Sequence, residues 1–370
     1  MKVLVTGSKG FVGKNLCSVL ALRGDIELLE FDLGNTPEEL QSAALAADFI
    51  IHLAGVNRPL SQDEFLTGNA GLTSDIVNIL KGAGKKTPLL LSSSTQAALD
   101  NPYGRSKKLA EDVAFDYGRT GAPVYVYRFT NLFGKWCRPN YNSVVATFCF
   151  NIANDLPIQI NDPDHVLRLA YIDDVVEEIV SALGGSARVR ADGYCYLKRE
   201  FEITLGALAE LIRSFRDIRE ARVIPDMSDQ FTKFLHSTYL SYLEERQGFA
   251  YPALMHADNR GWLFELIKSP AAGQIFVSRT KPGITRGNHY HHTKVEKFVV
   301  IEGEAVISFR KIDSDEVIEY PVSGEHIQIV DIPPGYTHAI KNTGDTDVIT
   351  LFWSCEMFDP EKPDTVYLEV

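Results

Sequence analysis

A chain of 370 residues exceeds what one ordinary hydrophobic core holds and predicts two domains. Hydrophobic residues make up 45% and charged residues 23%, a globular composition, and the formal net charge of −12 excludes the basic surface that nucleic acid requires. There is no run of about 18 apolar residues, so no membrane insertion is expected, and five scattered cysteines without CxxC spacing point to a reducing, cytoplasmic location.

Val3–Thr6 is a β-rich run that breaks into Thr6-Gly7-Ser8-Lys9-Gly10-Phe11-Val12-Gly13, and Phe11–Leu22 then has apolar residues at helical spacing. Gly7 permits the tight turn, Gly10 lets backbone approach a pyrophosphate, and Gly13 allows close helix–strand packing. The helix N-terminus adds free amides, so Gly7, Ser8, Lys9, Gly10, Phe11 and Val12 are expected to hold a dinucleotide. A second strand, Ile26–Phe31, ends at Asp32. A carboxylate there accepts hydrogen bonds from a ribose 2′-hydroxyl and repels a 2′-phosphate, which favours NADH; Lys9 keeps NADPH open.

Thr36-Pro37 reads as an N-cap and first helical position, opening a helix to about Ala47. Phe49–Ala54, Leu89–Ser92 and Val124–Arg128 are further buried-strand patterns separated by helical stretches. This βαβα alternation predicts a parallel sheet covered on both faces. Tyr103-Gly104-Arg105-Ser106-Lys107 puts a phenol and an ammonium one helical turn apart, where the cation is expected to lower the phenol's pKa. Ser92-Ser93-Ser94, ending a strand, offers a hydroxyl to a carbonyl undergoing reduction.

Together these motifs resemble the extended short-chain dehydrogenase/reductase family. Asp48–Gly55 resembles that family's strand toward the adenine and diphosphate, which brings Leu53, Ala54 and Gly55 to the cofactor. Asn69 resembles its helix asparagine. Arg128–Gly134 resembles the segment that closes over the nicotinamide (Arg128) and sugar nucleotide (Asn131), and Tyr171–Val175 its late strand–helix junction. The resemblance implies that Tyr103 donates a proton, and that Lys107 tunes Tyr103 and holds the nicotinamide ribose. Ser94 would bond the substrate oxygen, with Ser93 as the alternative.

The pattern changes near residue 245. Glu296–Ile301, Ala305–Phe309, Val317–Val322, Ile327–Ile332 and Val348–Trp353 are short alternating runs between Gly and Pro turns, predicting a small antiparallel barrel. The boundary is placed within 243–250, giving domains 1–245 and 246–370. His289 and His291 alternate on one strand, Glu296 opens the next, and His338 follows Pro333-Pro334-Gly335. Three imidazoles and a carboxylate suit a divalent metal, zinc being the expected one. Their spacing resembles the two cupin motifs, with Gly324 lying too far before Pro333 for the second motif's leading glycine. Asp258–Glu265 resembles a stretch of nucleotide-sugar 3- or 3,5-epimerases, which implies that Arg260 lies near a diphosphate.

In this order the halves resemble the CapF-type bifunctional enzymes of capsular polysaccharide synthesis, also through Asn57-Arg58-Pro59 and Met357-Phe358-Asp359-Pro360. The resemblance implies a UDP-4-keto-6-deoxy-2-acetamido sugar as substrate, inverted at C3 by the cupin and reduced at C4 by NAD(P)H. The product would be UDP-N-acetyl-6-deoxy-talose, precursor of UDP-N-acetyl-L-fucosamine, and a homodimer is expected. Two other readings stand beside it: a nucleotide-sugar 4-epimerase with tightly held NAD, and a regulator that senses dinucleotide and sugar. Thr95-Gln96 after Ser94 lacks the acid that a 4,6-dehydratase needs.

Overall fold

The computed structural model describes residues 1–370 except 60, 62, 245 and 247. The described chain divides into two compact units, Met1–Arg213 with Phe234–Leu243, and Ser214–Lys233 with Glu244–Val370. The expected 245/246 boundary falls on Glu245, which lies outside the described residues. Segment 214–233 joins the second unit through backbone bonds from Ile224 N to Lys268 O (2.8 Å) and Lys268 N to Arg222 O (2.9 Å).

The first unit begins with β1 (Lys2–Thr6), α1 (Phe11–Leu20), β2 (Glu27–Phe31), α2 (Pro37–Ala46) and β3 (Phe49–His52). A short α3 (Asp63–Phe65) runs through a π-helical turn, Leu66–Gly71, into α4 (Leu72–Gly82). Then come β4 (Leu89–Ser94), α5 (Pro102–Gly118) and β5 (Val124–Phe129). The five strands form one parallel sheet in the order β2-β1-β3-β4-β5. Every residue of β3 and four of five in β1 are buried, because helices cover both faces and leave no polar side for alternation.

Alternate residues of each strand feed opposite cores. Val3, Val5 and Ile51 pack with Leu16, Leu20 and Ile179. Leu4, Ile50 and Val126 pack with Leu40, Ile76 and Leu80. The α2 start is a capping box: Glu39 N donates to Thr36 Oγ1 (3.3 Å) and Thr36 N donates to Glu39 Oε2 (2.7 Å), stabilising that end by about 1 kcal/mol. β1 pairs with β2 on one side and β3 on the other, so the order in which strands are added reverses there. The crevice beyond the carboxyl ends of β1 and β3 is where open α/β sheets bind ligands. Beyond it, β6 (Asn131–Phe133), α6 (Val144–Ala153), β7 (Val166–Tyr171), α7 (Ile172–Leu183) and β8 (Phe201–Thr204) add a three-stranded sheet, β6-β7-β8. Helices α8 (Leu205–Glu220) and α9 (Gln230–Leu240) follow.

The second unit is mostly antiparallel β. Its strands are β9 (Met255–Asp258), β10 (Gly261–Ser269), β11 (Gly273–Thr280), β12 (Thr285–Tyr290), β13 (Glu296–Glu302) and β14 (Glu304–Lys311). They continue with β15 (Val317–Ser323), β16 (Ile329–Ile332), β17 (Tyr336–Asn342), β18 (Val348–Ser354) and β19 (Val366–Tyr367). One sheet runs β16-β13-β18-β11-β10-β9 and the other β15-β14-β17-β12-β19. Phe298 and Phe352 of the first meet Ile307, Phe309 and Ile340 of the second in a shared apolar core. Two antiparallel sheets closing on one core are what the alternating runs predict.

Candidate functional site

Gly7, at φ 70°, turns the chain out of β1, and its amide donates to Phe31 O at 2.8 Å. A Cβ on Gly13 would lie 2.0 Å from Gly7 O, so any side chain there would force α1 off the turn. Gly10 caps α1 without a side-chain bond, and the first turn carries no acid, leaving its amides available to an anion. Asp32 is tied to this turn: its Oδ2 accepts from Lys9 N at 2.8 Å and its Oδ1 from Leu33 N at 2.8 Å. Ser8 is buried, and among the described residues its hydroxyl has no partner. Phe11 and Val12 are the first residues of α1 and pack on the β1 side of the core.

Leu53 and Ala54 lie past the end of β3, where their amides donate to Thr6 O (3.1 Å) and Thr6 Oγ1 (3.3 Å). Asn69 sits in the π-helical turn and is almost wholly buried. Its Oδ1 accepts from Val56 N (2.9 Å), while its Nδ2 donates to Val56 O (3.1 Å) and Ser106 Oγ (2.9 Å). It therefore locks the loop after Gly55 onto α5. Below it, His52 bridges Thr6 Oγ1 (2.7 Å) and Thr73 Oγ1 (2.9 Å), and burial, aided by Lys107, holds its pKa down at about 3.

Asn101 and Pro102 start α5, the Asn101 side chain accepting from Gly104 N at 2.8 Å. This start sets the register that puts Tyr103 and Lys107 on one face. Lys107 is buried and its Nζ donates to Ser92 O at 3.2 Å. Burial lowers its pKa to about 8, against the opposing charge of Glu111. The Tyr103 pKa is raised, not lowered as the sequence suggests. Burial dominates, a Ser94 hydrogen bond opposes it, and the ammonium lies 5.9 Å from the ring centroid. The cation faces the ring, so it does little for the hydroxyl.

Ser93 and Arg128 both meet a buried carboxylate, Glu111. Ser93 Oγ donates to Glu111 Oε1 at 2.6 Å. Arg128 Nε and Nη2 donate to the two Glu111 oxygens at 2.7 and 2.6 Å, and Tyr194 OH donates to Oε2 at 2.8 Å. Arg128 also lies 4.1 Å from the Tyr194 ring centroid. Glu111 has no exposed surface, so this is a closed, charge-balanced network behind the serine strand. Sequence reading missed Glu111, although it stands four residues after Lys107 and eight after Tyr103 on the same helical face. Asn131 opens β6 and is exposed. A cavity of about 250 Å³ is lined by Thr95, Arg128, Thr130, Arg168, Arg190 and Tyr194, among others.

In the second unit, the ligand atoms of His289, His291, Glu296 and His338 all lie within 4.8 Å of one another. β12 and β17 pair directly at His289 and His338, and a bulge at Asn288 (φ 59°) sets that register. Glu296 Oε2 is 3.3 Å from His291 Nε2 and 3.5 Å from His338 Nε2. Both of those nitrogens are buried and, among the described residues, have no hydrogen-bond partner. Burial opposes ionisation of Glu296, yet its contacts with His291 and His338 hold its pKa at about 2. Burial, then His338 and His291, lowers His289 to about 4. A carboxylate among three clustered imidazoles, with the Nε2 atoms of His291 and His338 buried at the centre, fits a divalent metal. Arg260, in the β9–β10 turn, is bonded to Asp258 through Nε (2.9 Å) and Nη2 (2.6 Å).

A parallel sheet with a glycine turn at its switch point, and a Tyr–Lys pair beside a strand-end serine, is the architecture of NAD-dependent epimerases and dehydratases. Residues 3–192 match the NAD dependent epimerase/dehydratase family, and the chain belongs to that family. Residues 256–366 match the polysaccharide biosynthesis C-terminal domain. Over 370 residues the chain is 45% identical to the UDP-2-acetamido-2,6-beta-L-arabino-hexul-4-ose reductase of Pseudomonas aeruginosa, covering 99% of this chain and 98% of that one. The structure of the capsular polysaccharide assembling protein CapF of Staphylococcus aureus is similar with a TM-score of 0.93 at 50% identity, covering 100% of both chains. A structure of CapF with the inhibitor 3-isopropenyl-tropolone is similar with a TM-score of 0.88 at 46% identity, again covering 100% of both. Among the described residues, no helix is long and apolar enough to cross a membrane.

Proposed function

We propose that this chain is a two-activity nucleotide-sugar enzyme of capsular polysaccharide synthesis, with reduction in residues 1–245 and epimerisation in a cupin, residues 246–370. Its substrate is a UDP-4-keto-6-deoxy-2-acetamido sugar, inverted at C3 and then reduced at C4 to UDP-N-acetyl-6-deoxy-talose, a precursor of UDP-N-acetyl-L-fucosamine. The observation that carries the reading is the pairing of Tyr103, Ser94 and Lys107 with the glycine turn in one unit, and a four-ligand cluster in the other. Full-length identity of 45% to a UDP-sugar 4-ulose reductase supports it.

Bound nicotinamide supplies the hydride to C4. Tyr103 delivers a proton to the C4 oxygen as that oxygen gains charge, and Ser94 orients both groups by hydrogen bonding. Lys107, buried beside Tyr103, bonds the nicotinamide ribose. Asp32, fixed by two backbone amides, accepts from the adenosine ribose 2′-hydroxyl, so NADH is the preferred reductant. In the cupin, His289, His291, Glu296 and His338 would hold a divalent metal, zinc by donor type, which would supply Lewis acidity for enolisation. The adjacent oxygens of a tropolone suit chelation of such an ion, in keeping with the inhibitor named for a similar structure. Arg260 leaves Asp258 for the substrate diphosphate. The enzyme works as a homodimer in the cytoplasm.

The test is mass spectrometry of the candidate keto-sugar in heavy water, with and without NADH. Deuterium should enter at C3 without nicotinamide, and one NADH should be consumed per product. A cofactor that is not consumed would favour a 4-epimerase; no turnover with any nucleotide sugar would favour a sensor.

A further inference from the structure

Asp364 lies far along the chain from the four clustered ligands, yet its bonds converge on the segment between two of them. Its Oδ1 accepts from His292 N at 2.9 Å. Its Oδ2 accepts from Thr293 N (2.8 Å), Thr293 Oγ1 (3.0 Å) and Lys294 N (2.9 Å). One carboxylate thus gathers the three consecutive residues after His291 and before Glu296. Its own backbone oxygen accepts a hydrogen bond from His291 Nδ1. That bond assigns the proton to Nδ1 and leaves the Nε2 lone pair for the cluster, where Nε2 is buried and unpartnered among the described residues.

The neighbouring residues hold this arrangement in place. Val366–Tyr367 forms β19 against Tyr290 and His289, and Leu368 N donates to Asn288 O at 3.0 Å. Thr337, beside His338, donates its hydroxyl to Leu368 O. On the other side, Gly335 N donates to His291 O at 3.0 Å. Residues 364–368 therefore touch both histidine strands and the turn before Glu296.

We propose that Asp364 is a positioning residue that builds the metal site, fixing the His291 tautomer through its carbonyl and the His291–Glu296 turn through its carboxylate. The inference rests on the metal reading given above. A plain edge-strand role predicts something different: Asp364→Ala keeps its carbonyl and the β19 pairing, so sheet closure alone leaves metal affinity unchanged.

The experiment measures zinc affinity of the full-length protein by chelator competition, metal content by mass spectrometry, and the visible spectrum after cobalt substitution. Wild type, Asp364→Ala, Asp364→Asn and His289→Ala are compared. Asp364→Ala should bind zinc roughly 10- to 100-fold more weakly, the loss usual for partners that orient a ligand. Its cobalt bands should move, because the His292–Lys294 turn that spaces His291 from Glu296 is no longer held by the carboxylate. Asp364→Asn keeps one oxygen for Thr293 and Lys294 but sets an amide donor against His292 N, so a smaller loss is expected. His289→Ala should lose more than either. Wild-type zinc affinity and cobalt bands in Asp364→Ala would overturn the inference while leaving the metal site standing. If Asp364→Ala does not fold, Asp364→Asn decides in the same way. A wild type that takes up no zinc or cobalt would bring down the metal reading itself, and the inference with it.

Discussion

The polar networks of the two units differ in one respect that separates framework from working site. Around Glu111, every charge is answered within the protein: Ser93, Arg128 and Tyr194 all bond a carboxylate with no exposed surface. Around Glu296, two imidazole nitrogens end in buried space without partners among the described residues. A closed network rigidifies what stands on it, whereas orphaned donors or acceptors mark where something binds. The first lies behind the serine strand and the Tyr–Lys helix, and the second is itself the place of binding.

The sharpest way to break this comparison lies at the residues that meet ligand. Tyr103→Phe should lower NADH oxidation by about 100-fold or more, since it removes the proton donor. Steady-state kinetics with the keto-sugar, alongside cofactor binding by fluorescence, checks it; normal turnover would remove Tyr103 from the mechanism. His289→Ala should weaken metal binding by at least about 100-fold and leave NADH binding in place. Metal analysis and a cofactor titration on the same sample decide it.

Glu111→Gln tests the closed network. Losing the buried carboxylate that answers Arg128 should cost about 3 kcal/mol, read as a lower melting temperature. Its second effect concerns proton affinity. Lys107 is faced by Tyr103 and Glu111 from its own helix, by His52 from β3, and by Asn69 from the π-helical turn. Burial already lowers its pKa to about 8 and Glu111 opposes that, so removing the charge lowers it further. Activity that needs the ammonium should then fail at lower pH, moving the alkaline limb of kcat/KM downward. An unmoved limb with reduced stability would make Glu111 structural only. The smallest effect is expected at Asp32: Asp32→Ala should narrow the preference for NADH over NADPH by about tenfold, measured as the ratio of kcat/KM values. A wild type preferring NADPH would transfer control to Lys9.

What could be read from sequence was what depends on local spacing. Gly7, Gly10 and Gly13 follow a strand and open a helix, Tyr103 and Lys107 are one turn apart, and His289 and His291 alternate on a strand. Each is a pattern within a few residues, and the structure brings each together. The parallel sheet was equally legible, because its buried strands read as unbroken apolar runs. What stayed hidden depends on partners distant in sequence. Arg128 reads as a cofactor contact, and nothing near it in the sequence shows that Glu111 also bonds its guanidinium. Ser93 and Ser94 are chemically alike, and only the alternation of β4 sends one to Glu111 and the other to Tyr103. Asp364 has no motif at all; its role exists only through the backbone it meets more than seventy residues earlier.

The π-helical turn at Leu66–Gly71 makes a separate demand on how sequences of this kind can change. A π turn carries one residue more than an α-helix spanning the same rise. Deleting Ala70, just after Asn69, would leave a regular, comfortable helix and probe as well folded. Residues N-terminal to the deletion would nonetheless rotate by about 100° relative to α4. Asn69 could no longer reach Val56 and Ser106 together, and the loop after Gly55 would lose its tether to α5. Length, at this one place, is under the same constraint as residue identity, and alignments that open a gap there would be describing a different active site.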